Sequence, residues 1–195
     1  MKTGDRIIEA AATLLDSGGE AAVTLRAVAH ASGVSHNAPY KHFEDRNALL
    51  AAVATRDFAM LTKTFERLRQ ERVKPLTKLK KALRAFSEYG RDYPQRYQLL
   101  FSDPDIAKQE GELPKAAMAS FSAFSELVGE CQAAKLLPRV PTVELAGLLY
   151  ASVHGLIDLQ ASGRMKTEKG FKAVSEGITL LLHVLSVGSA STFGR

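Results

Sequence analysis

Between Gly33 and Phe43 the chain reads GVSHNAPYKHF. His36, Asn37, Tyr40, Lys41 and His42 surround one small residue, Ala38, on a segment too short to build a core. Imidazoles, an amide, a phenol and an ammonium are donors and acceptors suited to phosphate oxygens and base edges. No second set suggests covalent chemistry. The histidines His30, His36, His42, His154 and His183 are scattered, and there is no Ser/His/Asp arrangement, glycine-rich phosphate loop or metal-spaced histidine pair. No catalytic residue, metal site or cofactor is therefore expected.

Pro39 lies inside this polar run, where a helix interior would lose a hydrogen bond. The spacing around it explains the choice. Thr24 caps a short helix, Ala29 is small where two helices must cross, and Gly33 supplies a left-handed turn. Val34 follows as a plug and Ser35 as a cap. Ten residues beyond Ala29, the second helix needs an apolar group facing the first, and that residue is Pro39. With Asn37 as the effective cap, proline falls in the first turn, where its missing N–H costs nothing. His36, Asn37, Ala38 and Lys41 then face outward, with Tyr40 and His42 at the edges. This is the arithmetic of a helix-turn-helix, although any short helix pair with a glycine turn shares part of it.

Apolar residues recur at helical spacing along the whole chain, so the fold class is all-α. Thr3 opens a first helix that stops at the paired glycines of DSGGE. Asp45 caps a long helix through Gln70, and Pro75 opens one to about Tyr93. Pro94 opens a short one, and three more cover 113–137, 142–162 and 168–187. The stretch SDPDIAKQEGELP reads as loop, and GSASTFGR as a frayed tail. The boundary falls near residue 47: three short helices over 1–47, and a larger helical domain over 48–195.

At 195 residues, 46% hydrophobic and 24% charged, the composition is that of a globular protein. Its apolar run ITLLLHVLSV is about half of what a bilayer requires, the N-terminus lacks a signal-peptide core, and a lone Cys131 excludes an internal disulfide. A cytoplasmic protein with no membrane contact is expected. The net charge is +5, but residues 1–47 are almost balanced. The excess sits in KTFERLRQERVKPLTKLKKALR, read either as a solvated face or as a polyanion-binding one.

Two helices carry stripes fit for self-association. Leu148, Ser152, Leu156 and Leu159 form one, and Val174, Ile178, Leu181 and Leu185 the other; each would serve a core equally well. Aromatics concentrate in between. Phe86, Tyr89, Tyr93, Tyr97, Phe101, Met118, Phe121 and Phe124, with Tyr150 and His154, read either as packed core or as the lining of an apolar ligand pocket.

Residues 6–50, RIIEAAATLLDSGGEAAVTLRAVAHASGVSHNAPYKHFEDRNALL, resemble the DNA-binding region of the TetR family of transcriptional regulators. Ile8, Ala11, Ala12, Leu15, Gly18, Thr24, Val28, Ala29, Ser32, Gly33, Val34, Ser35, Tyr40, Phe43, Arg46, Leu49 and Leu50 carry the likeness. The resemblance implies a homodimer with an N-terminal DNA-binding domain over 1–47 and a ligand-binding and dimerisation domain over 48–195. The outward polar face on a two-fold body suggests a palindromic operator in double-stranded DNA, and the aromatic cluster a small, largely apolar effector that releases it. The resemblance places Arg26, His36, Asn37 and Ala38 against bases, and Thr24, Tyr40, Lys41, His42 and Arg46 against phosphates, with Ser35 beside them. LLYASVHGLIDLQASGR is similar to a C-terminal domain type with a Trp-His-Gly signature: His154 and Gly155 match, and Tyr150 replaces the tryptophan. A helical interaction or ligand-binding module that has lost specific DNA binding is the alternative reading.

Overall fold

The computed structural model describes residues 2–191, and among these every regular element is helical. The helices are α1 (Thr3–Ala22), α2 (Leu25–Ser32), α3 (Ala38–His42), α4 (Arg46–Gln70), α5 (Pro75–Asp92), α6 (Pro94–Phe101), α7 (Pro104–Ala107), α8 (Glu112–Ala133), α9 (Thr142–Ala161) and α10 (Val174–Ser191). Asp45 caps α4 as expected, its carboxylate accepting from Ala48 N at 2.7 Å.

Several boundaries differ from the sequence reading. Lys2, not Thr3, precedes α1, and the helix resumes beyond the glycine pair after a break at Gly19, whose φ is 65°. The presumed loop contains α7, because the Asp103 carboxylate accepts from Asp105 N and Ile106 N and so nucleates a turn. α8 ends at Ala133 rather than 137. The last helix begins at Val174, not 168: a single 3-10 turn at Thr167–Lys169 ends at Gly170 with φ 108°. It continues to Ser191, into the expected tail; residues 192–195 lie outside the described residues.

The chain forms two compact units. The first holds residues 1–60 and 92–118: the expected domain 1–47 whole, continued along α4 and joined by α6, α7 and the start of α8. Ile7, Leu15, Val28, Leu49, Val53 and Leu99 are buried in it, and α1 packs on both α2 and α6. The second holds residues 61–91 and 119–195, with Leu79, Leu83, Leu127, Leu149 and Ile178 buried. There α9 and α10 approach closely; a Cβ on Gly177 would lie 2.7 Å from the Leu156 side chain. Cys131 is fully buried, and burial, then the charge of Glu130, pushes its thiol up to about 12.

The reading that no segment suits a bilayer is corrected by α9. Its 20 residues are long and apolar enough to cross a membrane by length and composition, with a mean hydropathy of 1.2 over an 18-residue window. Leu145, Ala146, Leu149, Val153 and Ile157 on one face are nonetheless buried within the protein. A core helix acquires the same composition.

Candidate nucleic-acid interface

The turn between α2 and α3 is fixed from several sides. Thr24 Oγ1 accepts from Ala27 N at 3.1 Å and starts α2. Gly33 ends it in the left-handed region, φ 63°, donating to the Ala29 and His30 carbonyls. Arg6 reaches across from α1 and donates from Nη2 to the carbonyls of Ser32 (2.6 Å) and Gly33 (3.4 Å). Carbonyls at a helix C-terminus carry partial negative charge, so the guanidinium is well placed there. Arg6 was not among the expected site residues. Its signal in the sequence is one basic residue on the first helix, which names no partner.

Pro39 is buried in the first turn of α3, as its spacing requires. Asn37 precedes the helix but makes no capping bond with its side chain. Ser35 contributes its carbonyl, accepting from Ala38 N at 2.9 Å. The Asn37 amide is thus left to face outward. His36, Asn37, Tyr40, Lys41 and His42 are all exposed, Tyr40 by 54%, and so are Ser35, Thr24 and Arg26. Ala38 and Val34 are half-buried. The rings of His36 and Tyr40 stand edge to face with centroids 6.1 Å apart, which orders two polar tips on one short face.

Arg46 departs from its expected place at a phosphate. Its guanidinium is turned inward, donating from Nε to the Val23 carbonyl at 2.9 Å and from Nη2 to the Glu20 carbonyl at 2.6 Å. It fastens the link between α1 and α2. Burial, then the neighbouring Asp103 carboxylate, holds Glu20 above the usual carboxylate range, and Arg46 partly opposes them.

The near-neutral charge of residues 1–47 also takes on a different meaning. Glu9, Asp16 and Glu20 are paired with Arg56, Arg96 and Arg46. Asp5 and Asp45 accept backbone N–H groups. These carboxylates are committed internally, while Lys41 and Arg26 remain at the surface. The basic stretch at 63–84 is likewise partly spent on structure: Arg69 and Lys78 pair with Glu130, and Arg67 and Lys81 with Glu71.

The expected pocket residues fall into two groups. Tyr93, Tyr97, Phe101 and Met118 belong to the first unit, the others to the second. In the second unit Phe86 stacks on Tyr150 (5.7 Å) and meets His154 at 5.0 Å, while Phe121 stands edge-on to Tyr150. Phe124 packs on Phe65 instead, and Tyr89 is buried. Burial pushes the Tyr150 phenol up to about 12 and pulls the His154 imidazole down to about 4, with Asp158 acting the other way. In the first unit, Tyr93 lies over the Arg96 guanidinium, 37% exposed, and Tyr97 packs on Phe101. A cavity of about 250 Å³ opens there, lined by Phe58, Leu100, Ile106, Leu113 and Met118, with Gln109 as its polar side chain.

Of the residues expected at a dimer interface, Leu148 and Leu159 are exposed (55% and 41%), and Ser152, Leu156, Leu181 and Leu185 are half-buried. Val174 and Ile178 are buried within the chain itself. The outward apolar residues of α10 are Leu180 and Val184 instead. Val174 and Ile178 thus share the face of α10 turned toward the core, and Leu181 and Leu185 lie at its edge.

A short, exposed polar helix set against a second one across a glycine turn is the geometry of a helix-turn-helix, and comparison with known proteins supplies the family. Residues 7–53 match the family described as bacterial regulatory proteins, tetR family. Residues 79–183 match the tetracyclin repressor-like C-terminal domain. The chain belongs to the TetR family, whose members are transcription regulators and not enzymes. No curated protein matches it in sequence. A solved protein of unknown function from Rhodococcus sp. RHA1 is 26% identical, with TM-score 0.80, over 96% of this chain and 95% of that one. The fatty acid degradation regulator FadR from Bacillus halodurans (13% identity, TM-score 0.73, 95% of each chain) shares the fold. So does SmeT, the repressor of the Stenotrophomonas maltophilia multidrug efflux pump SmeDEF (16%, TM-score 0.68, 96% and 90%).

Proposed function

We propose that this regulator is a cytoplasmic repressor that binds a palindromic operator as a homodimer and leaves it when a small, largely apolar molecule binds. The observation that carries the DNA reading is the exposed row His36, Asn37, Tyr40 and Lys41, at the start of and along a helix pinned by Pro39 and Arg6. In this reading residues 1–47 form the DNA-binding domain and residues 48–195 the ligand-binding and dimerisation domain. His36, Asn37, Ala38 and Arg26 address base edges. Thr24, Ser35, Tyr40, Lys41 and His42 address phosphates, and Arg46 acts by holding the scaffold. Two such helices in a two-fold dimer fit successive major grooves roughly 34–36 Å apart. The exposed Leu148, Leu159, Leu180 and Val184 support self-association through α9 and α10.

The apolar cavity beside Phe58 and Leu100 supports an effector without charge, because no ionised side chain lines it to offset the desolvation of a charged guest. The Trp-His-Gly resemblance is read as a subtype of the C-terminal domain, with Tyr150 for tryptophan. Selection of bound duplexes from random DNA tests the central reading. Tyr40→Ala and Lys41→Ala should weaken binding to every sequence, whereas His36 and Asn37 substitutions should change the sequence selected. Four variants indistinguishable from the parent would remove α3 from the interface.

A further inference from the structure

Five charged side chains in the first unit alternate in sign across three helices. Glu9 of α1 meets Arg56 of α4 at 2.6 Å, and Arg56 meets Asp57 at 3.5 Å. Asp57 lies 3.6 Å from Arg96 of α6. Arg96 in turn grips Asp16 of α1 through two parallel bonds of 2.8 and 2.5 Å. Glu9 and Asp16 stand two turns apart on one face of α1. The chain of charges therefore leaves α1, crosses α4 and α6, and returns to α1.

Its centre is buried. Asp57 is 1% exposed and Arg96 9%. Ions in such a place persist only when paired and well aligned. A guanidinium presents a planar fork that matches a carboxylate, and an ammonium does not. Tyr93 holds the guanidinium carbon 4.6 Å from its ring centroid, which restricts the fork further. Such an arrangement defines an angle between helices more sharply than apolar contact does, since apolar attraction has no direction.

The helix so fixed is the one that carries the recognition turn, through Arg6 and the Ser32 and Gly33 carbonyls. We propose that Arg96 is a positioning residue for DNA binding. It touches no DNA. It holds α1, and with it α2 and α3, at one angle on α6 and α4, so that this orientation need not be fixed when the duplex is bound. The inference rests on the reading of α3 as the DNA-contacting helix.

The test uses the full-length protein and a duplex selected by the parent. Arg96→Lys keeps the charge and removes the fork; Asp16→Asn removes its partner at a partly exposed position, so that at least one variant folds. Dissociation constants are measured at a temperature where circular dichroism shows each protein fully folded. Each single variant should bind about tenfold more weakly. The salt dependence should be unchanged, because no phosphate contact is lost. The double variant should be no weaker than the weaker single one, since both changes break one unit. A merely structural ion pair lowers the melting temperature and leaves the affinity of folded protein alone. Folded variants with parental affinity, or losses that add in the double variant, overturn the inference. A parent that selects no duplex overturns the reading of α3 itself.

Discussion

The two compact units hold their helices together by different forces. In the first, a buried chain of ions from Glu9 to Asp16 crosses α1, α4 and α6. In the second, the carboxylates of the network keep contact with water: Glu130, 29% exposed, takes both Lys78 and Arg69, and Glu126, 48% exposed, takes Arg69. Its interior is apolar and aromatic, built around Phe86, Tyr150 and His154. Water screens a rim pair and competes for its hydrogen bonds, so the pair contributes little. A buried carboxylate such as Asp57 has no such substitute and depends on the guanidinium groups beside it. The first unit thus holds a buried carboxylate, Asp57, at the centre of its ions, and the second an aromatic cluster at its interior.

Truncation at the two places should separate these regimes. Arg96→Ala removes one of the two guanidinium groups beside Asp57 and the partner of Asp16, and should cost about 3 kcal/mol in urea unfolding. A loss below about 1 kcal/mol would place the first unit in the same class as the second. The acid limb of stability comes next. The His154 imidazole, pulled down to about 4 from 6.5, stays neutral in the folded protein while an unfolded histidine takes a proton. Stability is then fully present above pH 6.5 and falls as the pH drops toward 4, by about 3 kcal/mol at most and less to the extent that water reaches the ring. His154→Phe should flatten that part of the curve, and an unchanged slope would assign it to other groups. The smallest effect belongs to Arg69→Ala, at about 0.5–1 kcal/mol, decreasing further in salt. A larger loss would show that the rim network is as decisive as the buried one.

The same contrast explains what could be read from the sequence. Thr24, Gly33 and Pro39 act on neighbours a few residues away, through caps, a left-handed turn and a first-turn proline. Residue type and spacing were enough to place them. Arg96 and Asp16 are 80 positions apart, and neither residue announces the other. A hint existed, since Arg96 sits beside Tyr97 and Leu99 on the buried face of α6, where an arginine requires a partner. Arg46 fits the family pattern, yet its inward turn depends on where the Glu20 and Val23 carbonyls come to lie. On α10 the apolar residues fill nearly the whole circumference, so spacing alone did not separate Val174 and Ile178, which face inward, from Leu180 and Val184, which do not. That helix starts at Val174 and not at 168 because a 3-10 turn and a left-handed glycine precede it, and their residues carry the same polar composition as a first helical turn.

The chain's single thiol has a use that follows from its burial. Cys131 is closed to solvent and kept protonated at neutral pH, so an alkylating reagent reaches it only when the helix around it opens. With no other cysteine to contribute signal, the labelling rate in excess reagent becomes a clock for that opening. Comparing the rate with that of an unfolded chain converts it to an equilibrium constant. An effector bound in the second unit should slow the clock, whereas one bound in the cavity beside Phe58 has no direct hold on it. Thiol labelling alone would thus report which unit a candidate molecule has entered.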